Sequence, residues 1–163
     1  MTDLNRKMKA VFLEHYNLSG WRNPIAITLT LKKAIPSGLG LVWGTPEYYS
    51  QNLRHSLNVI HGKVFGSRGR RKAPRLKVIP VLERDQSGRH HYHLALELRN
   101  EMPIDEFRDL IGDVWSNTDW GHKQIDVQPA DGGWLLYMTK LRSKGQDLAD
   151  SIDWDNLHTD SRA

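Results

Sequence analysis

HHYHLALEL, residues 90–98, sorts its side chains by parity. Tyr92, Leu94, Leu96 and Leu98 fall on one side, and His91, His93, Ala95 and Glu97 on the other. A strand projects successive side chains to opposite faces. The segment therefore predicts a strand with one apolar, helix-covered face and one polar face. Upstream, Ile79, Val81 and Glu83 share a parity opposite to Leu82. Asp85-Gln86-Ser87-Gly88 then reads as a hairpin connection between strands over 76–84 and 90–98. Earlier still, IAITLTL at 25–31 alternates in the same way. Ile25, Ile27, Leu29 and Leu31 make its apolar side, and Ala26, Thr28 and Thr30 the other. A short strand over 124–128 follows Gly121.

Helical spacing fills the gaps between these strands. Residues 4–17 predict a helix with Leu4, Met8, Val11, Phe12 and His15/Tyr16 as its stripe. Thr45-Pro46-Glu47 starts a second, running to about 65 and carrying Tyr49, Leu53, Leu57, Ile60 and Val64. Pro103 opens a third, with Ile104, Phe107, Ile111 and Val114/Trp115 as its apolar face. Asp131 caps a last helix over 132–144, whose core stripe is Trp134, Met138 and Leu141. The order is helix, β-α-β-β-α-β, helix. It predicts an α+β fold: a split β-α-β (ferredoxin- or RRM-like) antiparallel sheet with helices on one face and a C-terminal helix against the open face. Such a scaffold hosts many unrelated functions.

The chain has 163 residues, 39% hydrophobic and 26% charged, the balance of one soluble globular domain. It has no cysteine, which excludes a disulfide framework, cysteine-zinc sites and thiol catalysis. There is no apolar run of about 20 residues to span a membrane, and the N-terminus lacks the apolar stretch of a secretory signal. A cytoplasmic protein is expected. Its 23 Lys and Arg face 19 Asp and Glu, but unevenly. Residues 146–163 hold five of the acids and one base, leaving 22 bases against 14 acids in 1–145. We expect a functional domain over 1–145 (core 24–145) and a solvated acidic tail over 146–163, with Trp154 the one tail residue able to dock. GSRGRRKAPRLK, with Arg68, Arg70, Arg71, Lys72, Arg75 and Lys77, reads as a basic loop suited to a polyphosphate.

The polar sheet face carries the candidate chemistry. Histidines two apart on a strand project side by side, as facial metal ligation requires. Glu83 ends the partner strand roughly opposite His91 and His93. Two imidazoles and a carboxylate suit Mn²⁺ or another first-row divalent ion, and leave positions open for a substrate oxygen. An exposed His-Tyr-His on a polar face with no ligand has the same sequence. On the last helix Tyr137, Lys140 and Lys144 lie along one edge. A tyrosine hydroxyl, with its ordinary pKa of about 10, becomes a useful nucleophile where a metal polarises a phosphate and cations meet the developing charge. A boundary tyrosine beside an exposed lysine gives the same spacing. Lys32 and Lys33, and the basic loop, are the expected phosphate contacts; Trp43, Tyr48 and Tyr49 are candidates for base stacking.

A TLTL strand, then His-Tyr-His with an upstream glutamate, then Tyr-x-x-Lys on a late helix: this order resembles the HUH endonucleases, specifically single-tyrosine rolling-circle replication initiators, over residues 24–145. The resemblance implies His91, His93 and Glu83 as ligands of Mn²⁺ or Mg²⁺, Tyr137 as nucleophile and Lys140 as its positioning lysine. It implies Thr28 and Thr30 on a DNA-contacting strand face. The implied activity is nicking and rejoining of single-stranded or hairpin origin DNA through a 5′-phosphotyrosine, with a host helicase and replication proteins as partners and a monomer or dimer as the working unit. Two rivals share the scaffold. One is an HUH single-strand transposase. The other is a non-catalytic RNA- or single-stranded-DNA-binding module, which would stack bases on aromatics of the open face.

Overall fold

The computed structural model describes residues 2–69, 71–99, 101–140 and 146–159. In chain order the elements are α1 (Asp3–His15), β1 (Pro24–Leu31), β2 (Ala34–Ser37), β3 (Gly40–Trp43), α2 (Pro46–Gly69), β4 (Val78–Arg84), β5 (His90–Glu97), α3 (Ile104–Ser116), β6 (Gly121–Pro129), α4 (Trp134–Met138) and α5 (Leu148–Ser151). The fold is α+β. Four strands make an antiparallel sheet in the order β4-β5-β1-β6, and β2 and β3 form a separate ribbon.

Local signals set the helix ends. Thr2 accepts a hydrogen bond from the Asn5 N–H at the start of α1. Thr45 Oγ accepts one from the Tyr48 N–H at the start of α2, where Pro46 holds the first helical position. The helical run of α2 is broken at Gly66, whose φ of 69° is natural only to glycine. The break comes one residue past the end expected from apolar spacing.

The register sets out both sheet faces. Tyr92, Leu94 and Leu96 of β5 lie opposite Leu29, Ile27 and Ile25 of β1. With Val78, Leu82 and Val127 they are buried beneath Tyr49, Leu53 and Ile60 of α2 and Phe107, Ile111, Val114 and Trp115 of α3. That face matches the alternation in sequence. The second face does not stay open throughout. Ile79, Val81 and Ala95 are buried there in a smaller core with Phe12 of α1, Leu135 and Met138 of α4, and Leu148 and Ile152.

Three expectations are corrected by this packing. The buried face of α1 centres on Asn5 and Phe12, while Leu4 and Val11 are exposed. Asn5 turns inward because its side chain donates to Asp147 Oδ1 at 2.8 Å and accepts from the Leu148 N–H at 3.1 Å. The acidic C-terminal segment is anchored instead of solvated, as far as it is described. Leu148 and Ile152 are buried, and Trp154, the expected anchor, is half-exposed. The segment lies along β4 with bridges Val78–His158 and Val81–Ile152. Asp153 accepts from Tyr92 Oη at 2.8 Å, Ser50 Oγ at 2.9 Å and Asn156 Nδ2 at 2.7 Å. Finally, α4 spans only Trp134–Met138, capped by Thr139. The expected continuation to 144, with Leu141 and Lys144, falls at 141–145, outside the described residues.

Candidate functional site

At one end of the second face, β1, β4 and β5 present their polar side chains. Thr28 pairs with His93 and Thr30 with His91 in the β1–β5 register; Glu83 pairs with His91 and Val81 with His93 between β4 and β5. The pairings give each histidine two neighbours. The Nδ1 of His93 lies 3.1 Å from Thr28 Oγ1, and its Nε2 lies 2.7 Å from Glu83 Oε2. The Nδ1 of His91 lies 3.3 Å from Thr30 Oγ1, and its Nε2 lies 3.0 Å from Asp85 Oδ2. Two parallel chains of hydroxyl, imidazole and carboxylate result. His93 and Glu83 are largely buried; His91 and Asp85 are more open.

The hydroxyls allow both ring tautomers. A threonine can donate to Nδ1 while Nε2–H donates to the carboxylate, or accept from Nδ1–H and leave the Nε2 lone pair for a cation. Thr30 is buried and engaged on His91, and Thr28 on His93. Both therefore support the rings; Thr30, expected to contact DNA, is buried beside His91.

The donor chemistry fits a first-row divalent ion. Two donors each about 2.1 Å from one ion and at a right angle stand about 3.0 Å apart. The two acid–imidazole pairs, at 2.7 and 3.0 Å, are hydrogen-bonded at a spacing that two ligands of one ion also take. Among the described residues no group of three His, Asp or Glu side chains is gathered to hold a metal. The site is two adjacent pairs. Glu83, His91 and His93 are neighbours as expected, and Asp85 is an addition. Burial works to raise the Asp85 carboxyl, but hydrogen bonds from Ser87 Oγ, His91 and the Arg89 N–H, with the charge of His91, outweigh it. The group is held well below the usual carboxylate range. Nothing in the spacing marks Asp85, since it sits in the hairpin connection and its orientation comes from the turn it closes.

Tyr137 reaches this end from α4. Leu135 and Met138 fix α4 into the smaller core, and Trp134 Nε1 donates to the Leu94 carbonyl at 2.9 Å. Trp134 and Tyr137 stack with centroids 5.1 Å apart. The Tyr137 ring then stands edge-on to His93, with centroids 5.6 Å apart and planes at 84°, and is 40% exposed. Lys140 is exposed one turn later, its N–H bonded to the Tyr137 carbonyl.

The expected phosphate contacts divide. Lys32 and Lys33 follow the end of β1 nearest His91 and are bonded to the Asp119 and Ser87 carbonyls at 3.1 and 2.6 Å. The basic loop enters β4 at Val78, the far end of the strand from Glu83. Five residues of strand span about 17 Å, so Arg71, Lys72 and Arg75, all exposed, stand away from the histidines. Arg70 and Lys144 and the side chain of Arg68 lie outside the described residues. Lys77 is engaged with Glu97 at 3.0 Å. Lys32 is one of the expected contacts; Arg89, in the β4–β5 connection, and Lys123, on β6, join it at the site end and were missed. Slight burial, then the charges of Arg89, Lys123 and Lys32, hold His122 below its ordinary pKa. Arg89, Lys123 and Lys32 thus set positive charge around His122.

Of the aromatic candidates, Tyr49 is buried and donates to the Lys32 carbonyl at 3.0 Å, whereas Trp43 and Tyr48 are exposed. Among the described residues no helix is long and apolar enough to cross a membrane. No family model, curated protein or solved structure matches the chain.

Proposed function

We propose that this protein is a metal-dependent endonuclease of the HUH kind, which nicks and rejoins single-stranded DNA to start rolling-circle replication. One observation carries the proposal: Tyr137 stands against His93 on the same sheet face as His91 and Glu83. The strand order, with β5 between β1 and β4 and β1 between β5 and β6, supports the split β-α-β reading of the fold.

Glu83, His91 and His93 would hold a divalent ion, Mn²⁺ or Mg²⁺, which supplies polarisation of the scissile phosphate when bound. The rest is the work of side chains. Trp134 and His93 hold the Tyr137 ring, so its hydroxyl approaches phosphorus from one direction. The phenolic oxygen forms a bond to phosphorus, the bond to the 3′ oxygen breaks, and the phenolic proton is passed on as the 3′ oxygen gains one. The products are a 5′-phosphotyrosine and a 3′-hydroxyl. One phosphodiester replaces another, so the reverse reaction rejoins the strand without ATP. Lys140 offers positive charge one turn from the nucleophile. Lys32, Arg89 and Lys123 suit the backbone of the bound strand.

The test is a denaturing gel with the full chain and a pool of single-stranded and hairpin oligonucleotides, in Mn²⁺ or EDTA. A Mn²⁺-dependent covalent band is expected, mapped to Tyr137 by mass spectrometry and absent from Tyr137→Phe, which keeps DNA binding. An adduct formed by Tyr137→Phe would remove this nucleophile. No adduct together with no Mn²⁺ binding by calorimetry would leave a binding module.

A further inference from the structure

The β2–β3 ribbon turns at Gly38-Leu39 and pairs Ala34 with Trp43 and Pro36 with Leu41. Its inner residues, Ile35 and Val42, pack on the main core. Its outer side is apolar and uncovered: Leu41 is 62% and Trp43 65% exposed. Two observations say what could cover it. First, the root of the ribbon is tied to the histidine site. Gly44, next to Trp43, donates to the Lys33 carbonyl, and Lys33 Nζ donates to the Ser87 carbonyl in the turn that aims Asp85 at His91. Second, the surroundings are cationic. Lys32 and Lys33 lead into the ribbon, and the cluster around His122 stands at the same end of the sheet.

An exposed indole among cations beside a phosphodiester site suits an unpaired strand, whose bases offer π-faces and whose phosphates carry the charge. A duplex buries those faces in its own stack. On the ribbon's other side, Ile35 and Val42 line a cleft of about 500 Å³ with Tyr48 and Trp120, stacked at 5.6 Å. We infer that Trp43 is a stacking platform for a base of single-stranded DNA flanking the scissile phosphate, with Lys33 beside the adjoining backbone. This rests on the nuclease reading for its choice of DNA.

The experiment measures binding without chemistry. The full chain carrying Tyr137→Phe, in EDTA, is titrated into labelled oligothymidylate, an abasic strand of equal length and a blunt duplex. Adding Trp43→Ala should weaken oligothymidylate binding about tenfold and leave the abasic strand unchanged. Adding Trp43→Phe should recover most of the loss. Oligothymidylate should also quench tryptophan fluorescence, and Trp43→Phe should remove that part of the signal. Equal affinity of Trp43→Ala and its parent for oligothymidylate would overturn the platform. So would an equal loss on the abasic strand. A DNA-free dimer that Trp43→Ala splits, with DNA affinity unchanged, would make the ribbon a protein contact and likewise overturn it. Adduct formation by the wild-type chain is scored separately. Trp43-dependent base binding with neither an adduct nor Mn²⁺ binding would sink the nuclease and keep the platform.

Discussion

Two ends of one sheet face behave as different materials. At one end Ile79, Val81 and Ala95 are buried under α1, α4 and α5. At the other, two residues along β5, His93 begins a polar array with Glu83, Thr28, Thr30 and His91. The backbone is the same antiparallel ladder throughout, so the side chains alone decide which end is covered. The covered end anchors the chain by apolar packing; at the polar end the buried His93 and Thr30 are held by hydrogen bonds to their neighbours. α4 joins them. Leu135 and Met138 belong to the core, and Tyr137 on the same short helix faces the histidine.

The comparison can be broken at either end. The largest effect is expected at the polar end. His93→Ala should cut Mn²⁺-dependent adduct formation about a thousandfold while lowering Tm by only a few degrees, the cost of unpairing Glu83 and Thr28. Calorimetry and a gel assay on one preparation test both halves of that statement. A large fall in Tm would mean that His93 is a core residue.

At the covered end the effects should be reversed. Ile79→Ala should cost about 2–5 kcal/mol of stability, a fall in Tm of about 5–15 °C. Below the new Tm, Mn²⁺ affinity should be retained. Loss of Mn²⁺ binding in a folded Ile79→Ala protein would show that the two ends do not work independently.

Asp85→Asn sharpens the comparison at its border with solvent. Losing this oxygen beside His91 should lower Mn²⁺ affinity about tenfold by calorimetry. The same substitution has a pH signature. Because the folded carboxyl lies below its ordinary range, its contribution to stability is present above the unfolded value of about 3.9 and fades as pH falls towards the folded one. The wild-type Tm should therefore drop more steeply below about pH 4 than that of Asp85→Asn. Parallel acid limbs would sink this account of Asp85.

The smallest effect concerns His122. Slight burial and then Arg89, Lys123 and Lys32 disfavour its protonation in the free protein. A bound strand neutralises those cations, so binding should take up a proton. Affinity for oligothymidylate should rise about threefold as pH falls from about 7.5 to 5.5, and His122→Ala should flatten that rise. NMR titration of His122 with and without DNA checks the direction; an unchanged midpoint would mean the strand passes elsewhere.

The strands were legible because alternation is a local property. Parity in residues 90–98 placed Tyr92, Leu94 and Leu96 under the helices and left His91 and His93 on the other face. What sequence hid depends on distant partners. Asn5 is polar yet buried, because Asp147 and Leu148 meet it from the other end of the chain. The acidic composition of 146–159 masked Leu148 and Ile152, two apolar residues spaced to reach the core. AIPSGLGLVW did not suggest a ribbon, since Pro36 and two nearby glycines signal a break. An edge ribbon tolerates a proline wherever no ladder bond needs its N–H. Asp85 and Arg89, both in the β4–β5 connection, were invisible for the same reason. Turns bring them together, and turns carry little pattern.

β4 is an outer strand, and outer strands invite further strands to add. Here the invitation is withdrawn. Val78 exchanges both backbone bonds with His158, Pro80 has no N–H to offer and its carbonyl accepts from Asp153, and the Leu82 carbonyl accepts from Gln146 Nε2. The C-terminal segment thus acts as a selvedge on the sheet. A chain deprived of it would present a bare strand flanked by uncovered Ile79 and Val81, and would be expected to recruit a neighbour through β4. The residues that look most dispensable by composition are those that cover this edge of the sheet.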